Sequence, residues 1–178
     1  MERIQDKCRP YDPTKKVYLK FRWVLVDWMC DLGDSIKVSQ NTIHHAVAMM
    51  DTYFSIVADP LRNDSKGKGL QLIAFTCIFF SAKFCEKDSR GPTAHDISYL
   101  SQKMFSEKDI IKSETLVLNT LGWNLMAATP IEFIRIFQWL GVLFSDDRVA
   151  NADSYSLPNS KTVDFINKYL EFFVDLVL

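Results

Sequence analysis

The sequence predicts an all-α protein: a five-helix bundle, a connector, then two further helices. Three observations predict it. Apolar residues recur at helical spacing in segment after segment, while no stretch alternates strictly as a half-buried strand would. Apolar residues make up 48% of the 178, enough to fill a core. Thirteen Phe and four Trp stand against six Gly and six Pro, a mix that suits packed helices better than a turn-rich β fold.

Residues 1–13 are polar, carry Pro10 and Pro13, and read as a lead-in segment. From Thr14, the residues Val17, Phe21, Val24, Leu25, Trp28 and Leu32 mark a first helix, with Gly33 placed to end it in the left-handed conformation. Ser39 offers an N-cap to a second helix carrying Ile43, Ala46, Val47, Met50 and Phe54. Residues 59–69 hold Pro60, Asn63, Asp64, Gly67 and Gly69, and read as a loop. The third helix, Leu70 to Glu86, is apolar on nearly every face and therefore belongs at the centre. Thr93 with Asp96, and Ser106 with Asp109, have capping-box spacing and open a short fourth helix and a fifth from Glu107 to Thr120. Thr129, Pro130 and Glu132 combine a cap, Pro at the first helical position and a capping-box acid; that helix runs to about Phe144. Residues 145–159 read as loop, and a last helix runs from Lys161 to Leu178. The expected domains are the lead-in 1–13, a first bundle with its linker 14–128, and an incomplete second fold 129–178.

The bulk chemistry excludes several classes. A net charge of −1 provides no general field for phosphate backbones or anionic lipids, so neither a nucleic acid nor a membrane partner is expected. Cys8, Cys30, Cys77 and Cys85 form no Cys-x-x-Cys pair, and no His lies at metal-ligand spacing from them. They read as free thiols of a reducing compartment, and no metal or cofactor is expected. The apolar run Leu70 to Phe84 is too short to span a bilayer and includes Gln71, Thr76, Ser81 and Lys83.

Several stretches, in order, resemble the cyclin family. Lys7-Cys8-Arg9-Pro10 resembles the end of its N-terminal helix, and Phe21 to Met29 the signature of the first cyclin-box helix. Thr42 to Val47 and Asp51 to Ser55 resemble the second helix, and Leu70-Gln71-Leu72 with Ser81 to Glu86 the third. Glu114, Leu118 and Leu121 to Leu125 resemble the fifth helix and its exit; Thr129-Pro130 with Phe133 resembles the start of the second cyclin fold. Within the family, Glu86-Lys87-Asp88 and Lys168 to Phe173 look most like the J type, whereas the first-helix signature is closer to the A, B and E types.

The resemblance implies a cyclin-box bundle followed by an incomplete second cyclin fold. It implies a non-enzymatic subunit that binds and activates a cyclin-dependent protein kinase in cell-cycle control, in the nucleus, the cytoplasm or both. The matching Lys83 and Glu114 would pair and hydrogen-bond the backbone around the kinase's regulatory helix. Each is a charge beside apolar sequence, which is costly unless paired. Phe80, Phe84 and Leu118 would serve either the apolar part of that interface or the core, and Trp123 either core or rim, with Leu125 alongside. Phe79, Phe80 and Phe84 cannot all face one side of a helix. Phe21, Arg22, Val24, Leu25, Trp28, Asp31, Leu70 and Gln71 match a docking groove for Arg-x-Leu peptides; an apolar groove with one acid suits such a ligand. The family's usual Met is Phe21 here and its small Ala is Trp23, whose bulk is placed to fill or reshape the groove. Arg22 and Asp27 would tie the first helix to its neighbours.

Other signals are weaker. His44 and His45 point about 100° apart on a helix and read as core or surface residues rather than metal ligands. Residues 65–69 lack the full phosphate-loop pattern. Alternative readings are a cyclin-fold interaction or transcription-related protein not paired with a kinase, and an enzyme with an unfamiliar site. A DNA-binding relative would need a basic face, which 21 Lys and Arg against 22 Asp and Glu do not supply.

Overall fold

The computed structural model describes residues 17–57, 67–87, 91–141, 147–150, 155–156, 160–176 and 178. The expected lead-in with Cys8, the start of the first helix at Thr14, most of the 59–69 loop and the far end of the sixth helix near Phe144 lie outside them. The described chain forms α1 (Val17–Ile36), α2 (Gln40–Ile56), α3 (Lys68–Cys85), α4 (Ala94–Leu100), α5 (Glu107–Thr120), α6 (Pro130–Leu140) and α7 (Ser160–Asp175). The stretch read as loop between α6 and α7 contains a two-residue antiparallel ladder, Val149–Ala150 (β1) against Tyr155–Ser156 (β2). The chain divides into two compact units, Met1–Ala127 and Ala128–Leu178.

In the first unit α3 is the hub. It touches α1, α2, α4 and α5, because its apolar residues surround the whole helix. By length and composition it is the one helix among the described residues apolar enough to cross a membrane, yet over half of that span is buried inside the bundle. On α3, Phe79 packs with Ile97, Phe105 and Ile110. Between α1 and α2, Tyr18 stacks on Phe54, with ring centroids 4.1 Å apart. In the second unit α6 and α7 pack together, joined by a hydrogen bond from Gln138 to Glu171. Phe133, Phe137, Phe165, Phe172 and Phe173 of these helices are exposed.

The caps lie close to their expected places. Thr93–Asp96 and Ser106–Asp109 form complete capping boxes. At Thr129 the Glu132 half is present, a 3.3 Å bond from the Thr129 amide, but the hydroxyl makes no cap bond. Hydroxyl and backbone N–H donors from Thr93 lower the pKa of Asp96, and those of Ser106 lower that of Asp109. A carboxyl with a depressed folded value stabilises above the unfolded pKa, about 3.9, and that stabilisation is lost as pH falls through the folded value. Melting followed from pH 5 to 2 should show this acid-limb loss, and Thr93→Ala should flatten Asp96's share of it. An acid limb identical in the variant would count against the assignment.

Gly33 corrects the sequence reading. It does not end α1, which continues to Ile36. Lys37 takes the left-handed conformation instead (φ 57°), and its N–H and that of Val38 bond back to Asp34 and Gly33 in a Schellman turn. Gly33 is required for another reason: a Cβ there would lie 2.7 Å from Ile43 Cδ1 and 2.8 Å from its Cγ1. Gly33→Ala gains about 1 kcal/mol of helix propensity but overpacks a buried contact at about 1–3 kcal/mol. The expected net is a loss of about 1 kcal/mol in denaturant unfolding, partly restored by Ile43→Val. A Gly33→Ala variant as stable as the parent would refute the close-packing role.

Candidate functional site

Lys83, in the last turn of α3, and Glu114, mid-way along α5, meet although 31 residues separate them. The Lys83 ammonium donates to both Glu114 carboxylate oxygens, at 2.7 and 2.9 Å. The Lys83 side chain is 47% exposed and that of Glu114 15%. Beneath the ammonium lies the ring of Phe79, its centroid 3.8 Å from Nζ. One turn before Glu114 on the same α5 face stands exposed Ile111, and Phe84, next to Lys83, is also half exposed. A paired charge is thus set beside exposed apolar surface.

The neighbouring expected residues divide. Phe84 is on the surface, stacked on the His45 ring with centroids 5.3 Å apart. Phe80, 2% exposed, is core, and this corrects its place on the docking platform; Leu118 is likewise buried. Phe80 shares the helix face of Lys83 and Phe84 but sits one turn earlier on α3, where the bundle covers it. Trp123 is not core: it is 65% exposed and left-handed (φ 58°), its indole N–H bonded to Asn119. Leu125 is half buried, and its carbonyl accepts from His45 Nε2 at 2.7 Å. His45 Nδ1 therefore accepts from the Ser81 hydroxyl at 2.8 Å. Both His44 and His45 are buried.

The expected groove is partly assembled. Trp28, Asp31 and Gln71 line a cleft of about 420 Å³, together with Phe75, Leu100 and Met104. Leu25 and Leu70 are buried and Val24 is half buried, and none of the three lines the cleft. Phe21 is exposed but does not line the cleft. Trp23 does not fill it either, since it is 71% exposed on another face of α1.

Arg22 ties α1 to its neighbour through Asp51 of α2, which corrects the expected role of Asp27. Its Nε and Nη2 each reach an Asp51 oxygen at 2.9 Å, and the Tyr18 hydroxyl donates to the same carboxylate, whereas Asp27 is exposed. Burial, then the adjacent Asp51 charge, pushes the Tyr18 hydroxyl pKa upward. Burial first, and the Asp51 charge second, also raise the Cys77 thiol. Glu86 is a second tie missed in sequence: its carboxylate accepts from the Ser39 amide and the Thr42 hydroxyl, both at 2.6 Å, at the start of α2. An acid closing an apolar helix is the signal for it. Among the described residues no three His, Cys, Asp or Glu side chains converge as a metal site.

A family model described as "Cyclin, N-terminal domain" matches residues 2–126. S-phase entry cyclin-6 of Saccharomyces cerevisiae is 26% identical over 166 residues, 93% of this chain and 37% of that protein. G1/S-specific cyclin-E1 of Danio rerio is 25% identical over 133 residues, 75% of this chain and 31% of that protein. The chain spans about a third of the length of such curated relatives. Among solved structures, a viral cyclin from herpesvirus saimiri superposes with a TM-score of 0.62 at 22% identity, covering 74% of this chain and 54% of that one. The helical bundle built around α3 is thus a cyclin box, and the chain belongs to the cyclin family.

Proposed function

We propose that the chain is the regulatory subunit of a heterodimer: it binds and activates a cyclin-dependent serine/threonine kinase in cell-cycle control, in the nucleus, the cytoplasm or both. Cyclins in general are regulatory subunits rather than enzymes. The observation that carries the reading is the Lys83–Glu114 couple, closed at 2.7 Å at the edge of α3 and α5 beside exposed Phe84 and Ile111. The mechanism is differential binding. A platform that fits the inward position of the kinase's regulatory helix stabilises the active conformation by its preference for that state. The helix then presents its Glu to the phosphate-binding Lys of the kinase, and the activation loop shifts with it. No group of the cyclin takes part in phosphoryl transfer.

The test adds the purified chain to a panel of purified cyclin-dependent kinases and follows binding and phosphorylation of a histone substrate. At least one kinase should bind and gain activity. If none does, the reading fails.

The Trp28–Asp31–Gln71 cleft supports a second contact within the same reading, docking of substrates or inhibitors carrying Arg-x-Leu. Anisotropy of a labelled Arg-x-Leu peptide should saturate, and Asp31→Ala should weaken it by about 1 kcal/mol, the scale of an exposed charge pair. A linear, unsaturable response would remove docking from the proposal and leave kinase activation untouched.

A further inference from the structure

We propose that Phe79 is a positioning residue for this docking couple: its ring face carries the Lys83 ammonium and holds it against Glu114. The functional half of this rests on the kinase-docking reading; the positioning half does not. Phe79 and Lys83 are four residues apart on α3 and so share one helix face. Nζ stands 3.8 Å above the ring centroid, where the negative face of the quadrupole attracts a cation. The ring cannot retreat, because it is packed among Ile97, Phe105 and Ile110 and is 2% exposed.

The need for such a floor follows from exposure. A half-exposed lysine has four rotatable bonds with which to reach water. Glu114 constrains the ammonium from one side through its two oxygens, and the ring constrains it from below. A leucine at position 79 would keep the site apolar but offers a cation no attraction. Covering the couple with a partner removes water and strengthens the ring's hold, so the contact matters more in the complex than in the free chain.

Stepwise fluorination of the ring, by incorporating mono-, di- and pentafluorophenylalanine at position 79, weakens the quadrupole with little change in volume. Carbon-13 relaxation at Lys83 Cε should show mobility rising with each step, while the melting temperature does not follow the series. Affinity for the best-binding kinase of the panel should fall about three- to tenfold across the series, and not at all in a Lys83→Met background. Phe79→Leu should reproduce the fully fluorinated result. Unchanged Lys83 mobility would overturn the proposal, as would an equal affinity loss in the Lys83→Met background. If no kinase binds the parent chain, the docking reading falls, and the relaxation series alone still decides whether Phe79 positions Lys83.

Discussion

Glu114→Ala should weaken kinase binding by about 2 kcal/mol, roughly thirtyfold, while hardly changing the stability of the free chain. The difference between the two readouts comes from solvent. In the free chain Lys83 is 47% exposed, and an ion pair with one wet partner contributes at most about 1 kcal/mol. Docking covers the couple. In the complex, truncating Glu114 leaves the Lys83 ammonium enclosed with its carboxylate gone, and that penalty is large. Lys83→Ala should be costly for the mirrored reason, since it strands a carboxylate already 85% shielded by the fold. The double variant should lose less than the sum of the two, because the second truncation removes a charge already stranded. Calorimetric titration against the responsive kinase measures all three. Affinity unchanged in both single variants would remove the couple from the interface.

Much of this was legible before the structure, and the boundary has a physical reason. The caps are local chemistry, so Ser39, Thr93 and Ser106 could be placed from spacing alone. Lys83 and Glu114 stood out because each is a charge in apolar company, which demands a partner. Asp51 carries the same signal but sits 29 residues from Arg22 on another helix, and nothing local chooses it over Asp27. Phe79 and Phe80 are both buried and stand four and three residues before Lys83, so spacing alone could not say which ring lies under the lysine. Gly33 looks like a helix end by composition. Only the approach of Ile43 shows that it is a crossing point of two helices.

The Arg22–Asp51–Tyr18 cluster should contribute measurably to the stability of the first unit. Asp51→Ala takes the acceptor from a buried phenol and from a guanidinium that two bonds of 2.9 Å had held in register. An unsatisfied buried donor costs about 1–3 kcal/mol. The Arg22 contribution must be discounted, since its side chain is 30% exposed and that of Asp51 38%, so water can replace part of what is lost. The expected total is about 2 kcal/mol, or a fall of roughly 6–10 °C in melting temperature. Tyr18→Phe removes the donor as well as the need for its acceptor, so Asp51→Ala should cost less in that background. The phenol also predicts an alkaline limb. Its folded pKa is raised, so its contribution is complete below the unfolded value, about 10, and declines as pH climbs beyond it toward the folded value. Tyr53, also raised by burial, adds to the same limb, so Tyr18→Phe should reduce the alkaline loss without abolishing it. Asp51→Ala melting within a degree or two of the parent would mean that water or a neighbouring acceptor takes over, and that α1 and α2 are held by packing alone.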